Sequence, residues 1–240
     1  MSSKCTASLY QLAFLLLLQT VFSAQLLRPS CSKPSLNFAA NDPYETSLNE
    51  LMQYLSYHSA STGFSLGSKG ENQYKTHGVA LCYSSVSSTD CLNCVVEASK
   101  EIRRQCPYRK GATIWYNDCF LKYLNLNFFG LIDYRALSIC NPGNATDPIS
   151  FNQHKTELLS QLANNVSTSL RMYRTAEFEL AGSVKLYAEA QCTRDLFSVD
   201  CKQCLDYFIP NACNGRLGGR TFSGSCYLRF ETYDFFSASN

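Results

Sequence analysis

Ten of the 13 cysteines fall into two series that share all but one interval. Cys82, Cys91, Cys94, Cys106 and Cys119 form the first, and Cys192, Cys201, Cys204, Cys213 and Cys226 the second. Each opens C-x8-C-x2-C and closes with C-x12-C. A recurring frame of this kind is the mark of one module copied head to tail. Any fold proposed for one half must therefore serve the other.

The compartment is read from the first residues. Lys4 precedes an apolar run from Leu9 to Leu18, and the small residues Ser23 and Ala24 follow. This is the pattern of a signal peptide, residues 1–24, with cleavage expected after Ala24. The run is shorter than the roughly 20 apolar residues that a spanning helix needs. Cys5 leaves with the peptide, and Cys31 and Cys140 join the two series, so that each module holds six cysteines. In an oxidising compartment an even, closed set predicts three disulfides per module. Six cysteines permit 15 pairings, and spacing selects none of them. Zinc is the competing reading of C-x2-C, and a redox-active pair is another. Both sit poorly with secretion and with a set that leaves no cysteine over.

Hydrophobic periodicity supplies the elements. Leu48, Leu51, Met52 and Leu55 form the stripe of an amphipathic helix within Pro43 to Ala60. In the second module Leu158, Leu159, Leu162, Val166 and Leu170 repeat it, with Ser150 as the expected N-cap. A second helix is predicted at each C-x2-C. Ser88, Thr89 and Asp90 offer capping oxygens in the first copy, Ser198 and Asp200 in the second, and Pro107 and Pro210 mark the ends. Alternation predicts strands at 79–83, 114–123, 183–190 and 226–230. The fold class is α+β: two tandem domains, 25–136 and 137–240, each with two helices packed on an antiparallel sheet. A short connection is expected around Leu137 to Cys140.

With 45% hydrophobic and 17% charged residues, the chain has the balance of a soluble globule. Its formal charge of +2 becomes +1 without Lys4, so no footprint for nucleic acid is present. Arg103, Arg104, Arg109 and Lys110 read as a solvated helix end. No later stretch approaches membrane-spanning length, and no membrane insertion is expected. Asn144 and Asn165 stand in N-x-[ST] sequons and are expected N-glycosylation sites. No metal or cofactor is called for. His58, His77 and His154 carry no nucleophile signature, and the capping Asp195, Asp200 and Asp206 imply no acid/base pair, so no catalytic residue is assigned.

Together these residues resemble the ginkbilobin-homologous, or stress-antifungal, domain of plants, whose hallmark is C-x8-C-x2-C between a lone early cysteine and two late ones. The resemblance covers the whole mature chain and is similar to cysteine-rich repeat secretory proteins. It implies a five-stranded antiparallel sheet in each domain. It also implies the pairs Cys31–Cys106, Cys82–Cys91, Cys94–Cys119, Cys140–Cys213, Cys192–Cys201 and Cys204–Cys226. Mannose in single-domain members is held by an asparagine after the first cysteine, an arginine six residues before the last, and a glutamate five residues after it. The second module carries all three, as Asn141, Arg220 and Glu231. A carboxylate accepts from sugar hydroxyls, a guanidinium donates in a fixed fork and an amide does both, which suits vicinal diols. The first module has Ser32, Thr113 and Leu124 there instead. It is not expected to bind mannose, and its aromatic segment, 114–116 with 120–129, is available to face the second domain.

The resemblance thus implies a secreted, non-enzymatic protein of plant defence or the antifungal response, located in the apoplast, with mannose-containing glycans as partners. The alternative is an extracellular protein-protein interaction module without sugar binding, as in related two-domain proteins with membrane anchors. Its partners would be extracellular proteins, or a second copy through the first domain.

Overall fold

The computed structural model describes residues 25–33, 35–83, 86–180 and 184–236. The expected signal peptide with Cys5, and Ser183 of one expected strand, lie outside them. The first domain runs β1 (Leu26–Cys31), α1 (Pro43–Thr62), β2 (Phe64–Lys69), β3 (Thr76–Cys82), α2 (Ser88–Gln105), β4 (Gly111–Tyr116) and β5 (Cys119–Leu124). The second repeats it: β6 (Leu137–Cys140), α3 (Pro148–Ser167), β7 (Tyr173–Glu179), β8 (Lys185–Cys192), α4 (Ser198–Phe208), β9 (Gly218–Phe222) and β10 (Cys226–Glu231). Each set closes a five-stranded antiparallel sheet, ordered β1-β4-β5-β3-β2 and β6-β9-β10-β8-β7. The α+β class and the repeated architecture are as expected.

Local chemistry explains the helix limits and corrects four of them. Asp42 accepts from Tyr44 N at 2.9 Å, Pro43 opens α1, and Gly63 ends it in the left-handed region at φ 71°. In α3 the cap is Asp147, not Ser150, because Pro148 has no N–H to satisfy and the Asp147 carboxylate reaches the amides of Ile149 and Ser150. That helix stops at Ser167, and Leu170 lies fully exposed beyond it rather than on the buried stripe. Ser87 caps α2, one residue before the expected group, while α4 starts after Phe197 with no side-chain cap. There the Ser198 hydroxyl donates to the Ser167 carbonyl instead, tying α4 to the end of α3.

The strand expected over 114–123 is a hairpin, β4 and β5, turning at Asn117 and Asp118. Its inward residues change parity across the turn, from Ile114 and Tyr116 to Cys119, Leu121 and Tyr123. Leu137 to Cys140 is likewise no connection but the edge strand β6, paired with β9.

The six disulfides are those the resemblance implies. Cys91 and Cys94, a turn apart on α2, bind it to β3 through Cys82 and to β5 through Cys119. Cys201 and Cys204 do the same for α4. Leu48, Leu51, Leu55, Val95, Ala98 and Ile102 complete the first core on the helix side of the sheet.

The opposite sheet faces pack on each other. Val79, Leu81, Tyr83, Trp115, Phe120 and Phe128 from the first half meet Phe222 and Tyr227 from the second in one buried cluster. The Tyr83 and Tyr227 rings stack at 3.9 Å, and the Trp115 indole N–H donates to the Ser223 carbonyl at 3.0 Å. Helices therefore cover the outside of a two-sheet sandwich. Part of the first domain's aromatic segment faces the second domain, as expected, while Ile114 and Tyr116 point into their own core.

Candidate functional site

Antiparallel register builds the polar end of this interface. Arg229 on β10 lies opposite Arg220 on β9 and Glu189 on β8, and Glu231 lies opposite Gly218 and Tyr187. Asn141, just past β6, donates its backbone N–H to the Gly218 carbonyl at 2.9 Å. Paired residues share a sheet face, so Asn141, Arg220 and Glu231 stand on the face directed at the first domain.

Asn141 and Glu231 meet directly: the amide Nδ2 donates to the carboxylate Oε2 at 2.6 Å. The other oxygen, Oε1, accepts from Arg229 Nε at 3.1 Å, and Glu231 is buried. Gly218 makes the contact feasible, since a Cβ there would overlap both Glu231 Oε2 and Asn141 Nδ2. Arg220 turns elsewhere. Its Nη1 donates to Asn117 Oδ1 of the first domain at 2.8 Å, bridging the two sheets. Asn141 and Arg220 are half-buried. Each carboxylate oxygen of Glu231 accepts one bond from these side chains, and a carboxylate oxygen has room for about two.

The corresponding positions of the first domain share the geometry but not the chemistry. Leu124 lies over Gly111 as Glu231 lies over Gly218. Thr113 is buried opposite Lys122, and the Lys122 ammonium is engaged by Asp133 at 2.9 Å.

Behind the trio lies a buried polar group that the sequence reading passed over. Glu189 accepts from the hydroxyls of Tyr227 and Tyr173 at 3.2 and 3.4 Å. Burial pushes its carboxyl above the usual range, although Arg229 and the two hydroxyls act against this. Arg229 and Asn117 were also missed. The alternation of Tyr227, Arg229 and Glu231 along one strand was the available signal.

Neither expected glycosylation site is hidden: Asn144 is exposed beside its bridge partner Arg216, and Asn165 is exposed on the last turn of α3. Strand pairing also places Ser68 Oγ 2.8 Å from His77 Nδ1, a contact between residues nine apart in sequence. Catalysis by such a pair needs a third group to orient the ring. No carboxylate bonds the ring among the described residues, and burial lowers the His77 pKa. No cluster of metal-ligating side chains is found among the described residues, and no helix there is long and apolar enough to cross a membrane.

Comparison with known proteins agrees with this architecture. The family described as salt stress response/antifungal matches residues 30–126 and again 139–233. An antimicrobial ginkbilobin-2-like protein of Castanea crenata is 43% identical over 229 residues, covering 91% of this chain and 95% of that protein. Cysteine-rich repeat secretory protein 38 of Arabidopsis thaliana is 40% identical over 211 residues, covering 85% of this chain and 83% of its own length. The tandem DUF26 ectodomain of the Arabidopsis thaliana cysteine-rich receptor-like protein PDLP8 superposes with a TM-score of 0.75 at 21% identity, covering 88% of this chain and 100% of that structure. At that identity the likeness is one of fold.

Proposed function

Because the chain belongs to the salt stress response/antifungal family, we propose that it is an extracellular, non-enzymatic defence protein that recognises mannose-type glycans at the rim of its second domain. One observation carries the reading: Asn141 is fixed at 2.6 Å by Glu231 on the sheet face that also bears Arg220. In this arrangement the half-buried Asn141 and Arg220 present donors and an acceptor to sugar hydroxyls. Buried Glu231 contributes by orienting Asn141 and through its remaining lone pairs. The antimicrobial name of the Castanea relative supports the defence role. A single rim site of this size corresponds to millimolar to high-micromolar affinity, on the order of −4 to −6 kcal/mol. Useful binding then requires repeated glycans.

The Arg220–Asn117 bond favours a second reading, in which the trio serves the domain interface and the surface recognises proteins. Calorimetric titration of mannose and a mannan fragment into the oxidised mature protein separates the two. Saturable heat that is lost in Asn141→Ala and at least tenfold weaker in Arg220→Ala supports the sugar site. A folded wild-type protein that takes up neither ligand would overturn it. Replacing the sequon asparagine, Asn144→Gln, is expected to leave mannose affinity unchanged or raise it, since a glycan three residues from Asn141 would crowd the rim; weaker binding contradicts that crowding.

A further inference from the structure

A cleft opens between the domains, and none of the trio lines it. The end of α1 with Ser61 and Thr62, the end of β3 with Tyr83, and the start of α2 at Ser88 form its first-domain wall. Arg171 and Arg194 face them from the second domain. The cleft holds about 380 Å³, and among the described residues no acidic side chain lines it.

Among the described residues its two guanidiniums have no counter-charge: the ion pairs there lie elsewhere, and no carboxylate comes within 4.0 Å of Arg171 or Arg194. Arg194 is anchored rather than free: Nη2 donates to the Thr62 carbonyl at 2.8 Å, across the domain boundary, and the guanidinium stands 5.7 Å over the Phe64 ring. Its Nε is buried and has no acceptor. Burial, and after it the Arg171 charge, lowers the Arg194 pKa, so the neighbours are repulsive as they stand. A held arginine with an unanswered donor, a second arginine beside it and hydroxyls opposite form a receptor for anionic oxygen.

We propose that this interdomain cleft is a binding site for an oxyanion of the phosphate or sulfate type, either free or carried on a sugar. Two cations and the hydroxyls of Ser61 and Ser88 outnumber the two oxygens of a lone carboxylate and match a doubly charged tetrahedral group. Because Arg194 belongs to one domain and Thr62 to the other, an anion seated there also ties the domains together. The site is independent of Asn141, Arg220 and Glu231, and stands or falls apart from the mannose reading.

The test uses the oxidised mature protein in Tris at constant ionic strength, with chloride replaced stepwise by inorganic phosphate, inorganic sulfate, glucose 6-phosphate or acetate. The thermal midpoint and the amide resonances of Thr62, Ser88 and Arg194 are followed. Saturable responses to phosphate or sulfate are expected, at least tenfold weaker in Arg171→Gln, an exposed position that leaves folding intact. Exposed Arg174, whose guanidinium donates to the Tyr173 carbonyl, serves as the control, and Arg174→Gln should match wild type. Tighter binding of glucose 6-phosphate than of phosphate assigns the anion to a sugar, and equal binding to the free ion. No saturable response, an undiminished response in Arg171→Gln, or acetate binding as well as phosphate would each overturn the proposal.

Discussion

Gly218 shows how one residue without a side chain positions two that have them. It sits between Asn141 and Glu231 on the inward sheet face, and a Cβ would occupy the space of both polar ends. In Gly218→Ala the backbone can stay, but the amide–carboxylate bond must open, leaving buried Glu231 short of a partner. A loss of about 1–3 kcal/mol is expected from an unsatisfied buried group. Gly111→Ala is the matched control, because only an apolar Leu124 methyl must move there. Urea unfolding of both variants checks this: equal losses would mean that the pair contributes nothing specific. The trio was picked out by the resemblance, as three residue types at fixed offsets from cysteines. Its setting was not, because Arg229, Asn117 and Gly218 take their roles from cross-strand register, and register comes from long-range pairing.

Helices and strands were legible in proportion to how local their causes are. The stripe of α1, and that of α3 apart from Leu170, followed from periodicity alone. The turn at Asn117 and Asp118 was hidden because two residues suffice to reverse the chain, and only the parity change between Tyr116 and Cys119 betrays it. Edge strands β1, β2, β6 and β7 went unread, since few of their residues are buried, and so did the central strand β9, which opens on two glycines. The disulfides act on these elements unequally. Cys82–Cys91 spans nine positions and Cys31–Cys106 spans 75. Loop-closure entropy gives about 2.7 kcal/mol for the short loop and about 4.5 kcal/mol for the long one. Replacing both partners of each bridge by serine should therefore cost more for Cys31–Cys106. Chemical denaturation of the two double variants provides the measurement. A larger loss from the Cys82–Cys91 pair would show that clamping α2 to β3 in the folded state outweighs chain entropy.

The two domains meet through a dry aromatic centre with charged groups at its margins, and one of these groups is buried where the connection crosses. Lys122 of β5 and Asp133 of the linker are 2.9 Å apart and both buried. Asp133 also takes Arg135 Nε and Nη2 at 2.9 and 2.8 Å, and its backbone N–H reaches Ser225 Oγ of the second domain at 2.8 Å. Burial alone would raise the Asp133 pKa, but bonds and charges from Arg135 and Lys122 prevail and hold it at about 2, below its ordinary 3.8. With the folded value depressed, the carboxylate's contribution is complete above about pH 3.8 and is lost as the pH falls through 2. Trp115 is the one tryptophan of the chain and lies in the interface. Its emission should stay that of a buried indole at neutral pH and move to longer wavelength as acid separates the domains. Asp133→Asn leaves the Lys122 ammonium buried without its counter-charge, and a loss of about 3–5 kcal/mol is expected. The variant should also lose the part of the acid sensitivity that belongs to this carboxylate. If its emission shifts at the same pH as that of the wild type, with unchanged stability in urea, the Lys122–Asp133 pair is not what couples linker to sheet, and the aromatic cluster alone holds the domains together.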